Sequence, residues 1–153
     1  MPSITEQQIH VLNGLILTTL DSANGYGDAA KDAQKPHFKR MFVARALERQ
    51  LLTAELQTEV RSLGGKAQDD GSLLAAGYRA FLNLKNAVTG SDETVIDEVE
   101  RGEDYIKGKY EAALQAGNLT DHIQTVVANA YERVKAGHDD IRDIKHELKA
   151  RSC

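Results

Sequence analysis

"TLDSANGYGDAAKDA", Thr19 to Ala33, decides the fold. Asn24-Gly25 is a turn signal. Gly25 and Gly27 each cost a helix about 1 kcal/mol relative to alanine. Yet Ile9, Leu12, Ile16, Leu20 and Ala23 lead into the stretch at spacings of three and four, as on an amphipathic helix. Ala29, Ala30 and Ala33 follow. Read as a turn, the stretch divides two short helices. Read as helix, it makes one long helix that ends before Pro36 and matches the next segment in length. The second reading is the expectation here. The two glycines then need an offset, and close approach of a neighbouring helix or side chain is the expected one.

The flanking signals agree with a long helix. Ser3 and Glu6 have the spacing of a capping box. Pro36 suits the first turn of a second helix. That helix carries Phe38, Met41, Phe42, Leu47, Leu51, Leu52, Leu56, Val60 and Leu63, and Gly64-Gly65 ends it. "KAQDDGS" reads as a loop. A shorter helix follows with Leu73, Leu74, Tyr78, Phe81, Leu82 and Val88, and Gly90-Ser91-Asp92 breaks it. Ser91 can cap a third long helix bearing Ile96, Val99, Ile106, Tyr110, Ala113 and Leu114. "AGNLT" stops that one. Thr120 can open the fourth, with Ile123, Val127, Ala130, Val134, His138, Ile141 and Leu148.

Short links join helices 1 and 2, and helices 3 and 4. About 26 residues separate helices 2 and 3, enough for them to run parallel. The expected fold is therefore all-α. It is a ferritin-like four-helix bundle with a long crossover, containing a short helix, between helices 2 and 3. Residues 1–153 form a single domain.

Composition narrows the functional classes. The chain is 41% hydrophobic and 27% charged, as in ordinary globular proteins. A net charge of −4 lacks the basic field of a general nucleic-acid binder. No apolar run reaches the roughly 18 residues of a membrane span. MPSITEQQIH lacks a basic region followed by an apolar one, so a cytoplasmic location is the expectation. The lone Cys153 excludes a disulfide framework and a cysteine metal cluster within one chain. No phosphate-cradling loop, Gly-x-Ser-x-Gly or His-Glu-x-x-His occurs.

Chemistry enters through polar residues at one level. With a rise of about 1.5 Å per residue, antiparallel helices can be aligned from their turns. Asp21, Glu48, Glu100, Glu103 and His138 then fall within a band of about two turns. Glu103 is in line with Val99, Ile106 and Tyr110, and His138 with Val134 and Ile141. Inward carboxylates and imidazoles are costly unless paired or metal-bound. These five residues are thus candidate ligands for iron, manganese or zinc, which accept such oxygen and nitrogen donors. The alternative is no metal, with the carboxylates in a buried ion-pair network with Arg45, Arg101 and Lys135. Di-iron carboxylate bundles use a Glu-x-x-His on each of two helices. Here Leu51 stands three residues after Glu48, and Lys135 three before His138, which argues against a di-iron oxidase or ferroxidase.

Five segments together resemble a bacterial family of ferritin-like four-helix-bundle proteins of unknown function. They are "LNGLILTTLDSANGYGDAA", "RALERQLLTAELQTEVRSLGG", "GSLLAAGYRAFLNLK", "EVERGEDYIKGKYEAAL" and "VKAGHDDIRDIK". The resemblance spans about residues 6 to 148. Asp21, Gly25, Tyr26, Arg45, Glu48, Glu100, Gly102, Glu103, Asp104, His138 and Asp139 stand in the matching motifs. Tyr78 departs from the family's pattern, where a histidine is frequent. The resemblance implies a bundle fold and a candidate metal site, and no particular activity. The level band of Asp21, Glu48, Glu100, Glu103 and His138 is what carries the expectation of a role in metal or oxidative-stress handling. The competing reading is a metal-free bundle that acts through homo-oligomerisation or partner binding.

Overall fold

The computed structural model of the protein describes residues 2–69 and 91–152. Their helices are α1 (Ile4–Asp32), α2 (Pro36–Ser62), α3 (Asp92–Gln115) and α4 (Asp121–Ser152). The short helix expected around residues 73–88, with Tyr78, lies outside the described residues.

α1 runs unbroken through the Asn24-Gly25 dipeptide. Its burial explains why the turn signal loses. Between Thr19 and Asp32, α1 buries Thr19, Ser22, Ala23, Gly25, Tyr26, Asp28, Ala29 and Ala30, which take up more than one face of the helix, and the C-cap Ala33 is buried too. Packing on two sides outweighs local propensity, as it commonly does in proteins. The expected cause of the glycines, close approach of a neighbour, fails at Gly27. Gly25 lines a cleft with Ala29, Val95 and Val99, where α1 and α3 meet. A Cβ at Gly27 would meet nothing within 4 Å, so close approach does not account for that residue.

The ends follow the sequence signals closely. The Ser3 hydroxyl accepts from the Glu6 amide at 3.1 Å. Pro36 lies in the first turn of α2. Gly64, at φ +83°, follows the end of α2, and Gly117, at φ +73°, follows α3. Ser91 occupies the N-cap of α3, but its side chain makes no capping bond. The neighbouring Asp92 is used instead. Its carboxylate accepts from the Gln34 amide at 2.7 Å and the Lys35 amide at 3.1 Å.

These links fix the topology. Asp92 ties the start of α3 to the α1–α2 turn, so α2 and α3 start at the same end. The Thr120 amide donates to Gln8 Oε1 at 2.7 Å, so α4 starts beside the start of α1. The directions are up, down, down, up. α1 packs on α2 and α3, while α4 packs on α3 and more lightly on α2. α2 and α3 are parallel and diagonal.

Two apolar clusters fill the interior. One, toward the start of α1, includes Leu12, Ile16, Leu56, Val60, Ile106, Tyr110, Ile123 and Val127. The other, toward its end, includes Tyr26, Phe38, Phe42, Val95, Ile96, Val99 and Ile141. A polar layer separates them at mid-bundle.

Candidate functional site

α2 turns Phe42, Ala46, Arg49, Thr53, Leu56 and Val60 inward, at steps of three and four. Arg49 is therefore a charged residue on a core-facing stripe, and its side chain is 0% exposed. Its guanidinium meets Glu103 of α3 in a two-pronged pair. Nη1 donates to Oε1 at 2.8 Å and Nη2 donates to Oε2 at 2.9 Å. Nη1 also donates to the Ser22 hydroxyl of α1 at 2.8 Å. The Tyr26 ring lies 5.5 Å from Arg49 Cζ, within range of a cation–π contact. Arg49 Nε makes no hydrogen bond and lies 3.9 Å from Glu48 Oε1.

α4 contributes a space rather than a polar group. A Cβ on Gly137 would sit 2.5 Å from Arg49 Nη2 and 2.8 Å from Glu103 Oε2. Real side chains do not tolerate such distances. All four helices thus meet at this centre, through Ser22, Arg49, Glu103 and Gly137.

The electrostatics follow from the geometry. Burial opposes the charge on Arg49, and the adjacent Glu103 carboxylate more than restores it, so its pKa stays above the usual arginine value. Burial first, and then Glu103, hold the Tyr26 phenol well above its ordinary range. The Tyr26 hydroxyl completes no hydrogen bond. One layer toward the start of α1, Tyr110 is fully buried, and its hydroxyl is 2.8 Å from Thr19 Oγ1.

The five candidate ligands have different surroundings. Glu103 is taken up by Arg49. Glu48 accepts from Arg45 Nη1 at 3.0 Å, and Arg45 reaches Asp140 of α4 at 2.9 Å through Nη2. Glu100 accepts from Lys145 at 2.6 Å, away from Glu103. His138 sits at the rim between α3 and α4, 2.7 Å from Asp104 Oδ1 through Nε2 and 3.1 Å from Asp139 Oδ1 through Nδ1. Asp21 is half-buried on the α1–α3 side. Its Oδ1 is buried without a hydrogen bond, and burial pushes its pKa up to about 6. Among the described residues, no three His, Cys, Asp or Glu side chains form a group able to hold a metal ion.

Of the basic partners considered from sequence, Arg45 joins the centre, while Arg101 and Lys135 are exposed. The sequence reading missed Arg49, Ser22 and Gly137. Arg49 was readable in principle, because it is the one charged residue in the 42–46–49–53–56–60 phase of α2. Including Leu47 and Leu51 in the apolar stripe obscured that phase. Both are exposed, at 55% and 68%.

The fold and its centre define an all-α four-helix bundle with a guanidinium–carboxylate core. The chain belongs to the family described as a domain of unknown function, DUF2383, whose model matches residues 7–116. The match contains Ser22, Arg49 and Glu103 and stops before α4. No curated protein matches the chain. Among the described residues, no helix is long and apolar enough to cross a membrane.

Proposed function

We propose that this protein is a ferritin-like bundle that keeps a guanidinium where its metal-binding counterparts keep ions, and that it acts by association rather than catalysis. The ferritin-like assignment draws support from the parallel, diagonal α2 and α3, the arrangement that a single long crossover produces. One observation carries the functional reading: the fully buried Arg49 engages both oxygens of Glu103. The residues do not fit a metal. A cation between Glu48 and Glu103 would meet the fixed positive charge of Arg49 and would have to displace it. Asp21, Glu100 and His138 face other surroundings.

The proposed associating surface is on α2. Val43, Leu47 and Leu51 form an exposed row at steps of four, with 48%, 55% and 68% of their surface open to solvent. The proposed occupant is the same row of a second copy. Arg40 lies at one end of the row and Glu55, which already accepts from Arg133 of α4 at 2.6 Å, at the other. In an antiparallel pair centred on Leu47, each Arg40 comes level with the partner's Glu55 to within about one residue's rise of 1.5 Å.

The test combines metal analysis with light scattering. Protein from iron- and manganese-supplemented cells is expected to carry far less than one ion per chain. It is also expected to show a concentration-dependent dimer that Leu47→Glu abolishes without loss of helicity. Stoichiometric metal lost in Glu103→Gln would overturn the metal-free reading and restore the ligand reading. A strict monomer at all concentrations would overturn the association.

A further inference from the structure

The chain that leaves α2 is held down by side chains. Gly64, at φ +83°, turns it out of the helix. Gly65 then lies against Ile9 of α1, so closely that a Cβ would sit 2.8–3.0 Å from three Ile9 side-chain atoms. The next residues meet α1 at Asn13. Asn13 Nδ2 donates to the Lys66 carbonyl at 3.1 Å, and Asn13 Oδ1 accepts from the Gln68 amide at 2.8 Å. From α2, Gln57 Nε2 donates to the Gln68 carbonyl at 2.9 Å. Leu63 and Ala67 pack against the apolar cluster beneath.

Asn13 takes the part of a neighbouring strand. In a parallel ladder, one residue bonds the carbonyl before and the N–H after a single residue of its neighbour. Asn13 straddles Ala67 in the same manner. A primary amide suits this task, because it carries a donor and an acceptor at fixed spacing. All three bonds go to backbone groups, so what is held is the path of residues 66–68 and not their side chains. Such a hold has a purpose here. The end of α2 also adjoins α4, where Glu59 and His122 are 3.0 Å apart, and the chain lies on α1 instead.

We propose that Asn13, Gln57 and Gly65 form a backbone clamp that fastens the chain leaving α2 onto α1. The clamp is a conformational device with its own local stability. It rests on a few bonds at one place, so it opens without unfolding the helices.

Lys66 gives a direct test. Its side chain is exposed, while the carbonyl of the peptide bond that follows it is held by Asn13. The experiment follows early tryptic cleavage of the full chain after Lys66 by mass spectrometry. Cuts after Arg101 and Lys109, both exposed on α3, serve as references. Asn13→Leu is expected to speed the Lys66 cut by about tenfold or more relative to the references, since a local opening loses two opposing hydrogen bonds. Gln57→Leu deletes one bond and should give a smaller rise. Asn13→Asp keeps the size and the acceptor but cannot donate to the Lys66 carbonyl, and should also cut faster than wild type. Far-UV circular dichroism checks that each variant is folded. Gly65→Ala leaves both amides in place and displaces the chain from Ile9, so it replaces Asn13→Leu if that variant loses helicity. Two results would overturn the proposal. One is a Lys66 cut equally fast in wild type and in the folded variant. The other is a rise matched at Arg101 and Lys109, which would mean general loosening.

Discussion

Replacing Glu103 with leucine should be among the most damaging single changes in this protein. Glu103 is 1% exposed and gives both carboxylate oxygens to Arg49, which is 0% exposed. In Glu103→Leu the guanidinium keeps only the Ser22 hydroxyl as a hydrogen-bonded partner. Breaking a buried pair from one side costs about 3–5 kcal/mol, because the other charge is left uncompensated. For a chain of this size about 1 kcal/mol corresponds to 2–4 °C in Tm, so the expected loss is roughly 6–20 °C. Arg49→Met should cost a similar amount by stranding Glu103. The double variant Arg49→Met/Glu103→Leu should recover most of the loss, since replacing both ions with apolar groups is often neutral or better. Urea unfolding followed by far-UV circular dichroism gives all four corners of the cycle, provided the m-value is unchanged. A Glu103→Leu cost below about 1 kcal/mol would refute the reasoning. So would a double variant as unstable as the sum of the two singles.

Two glycines in helices should respond oppositely to alanine. Gly137→Ala is expected to destabilise by up to about 2 kcal/mol, because its Cβ collides with the Arg49–Glu103 pair and the helix-propensity gain offsets only part of that. Gly27→Ala, with open space for its Cβ, is expected to stabilise by about 0.5–1 kcal/mol in the same urea assay. Asp21 should make stability depend on pH: its pKa rises from 3.8 to about 6 on folding, through burial. Between those values the folded chain holds a proton that the unfolded chain has lost, so stability falls as pH rises through the window and levels above it. Asp21→Asn should remove that part of the slope in Tm measured from pH 4 to pH 7. Tyr26→Phe should change stability by less than about 1 kcal/mol, since the hydroxyl it deletes makes no hydrogen bond.

Much of the fold was legible because helix geometry is regular. Counting residues from the turns puts Asp21, Glu48, Glu103 and His138 at one level, and their immediate neighbours Ser22, Arg49 and Gly137 do meet there with Glu103. Level depends on rise per residue, which survives an error of one or two positions at a helix end. Facing direction is less forgiving, since each residue turns the helix by more than a quarter of a circle. α2 shows the difficulty. It carries apolar residues on several sides, so Leu47, Leu51 and Leu52 look like one stripe, although only Leu52 is buried. Glu100 also shows the limit of level alone: it shares the band but turns toward Lys145. Nothing in the structure explains the glycine at position 27.

The Arg49–Glu103 pair also acts as an alignment mark. Apolar cores tolerate sliding, because one leucine contact can be exchanged for another a turn away. A shift of α2 against α3 by one turn, about 5.4 Å, would carry Arg49 away from Glu103 toward the level of Val99 or Ile106, both buried and apolar. Two stranded charges would then replace one matched pair. α2 and α3 are parallel and diagonal, and apart from the Asp92 bonds to Gln34 and Lys35 at their starts no short turn holds them in step. For such a pair, a single two-pronged contact at the centre of the bundle can set the vernier for the whole assembly.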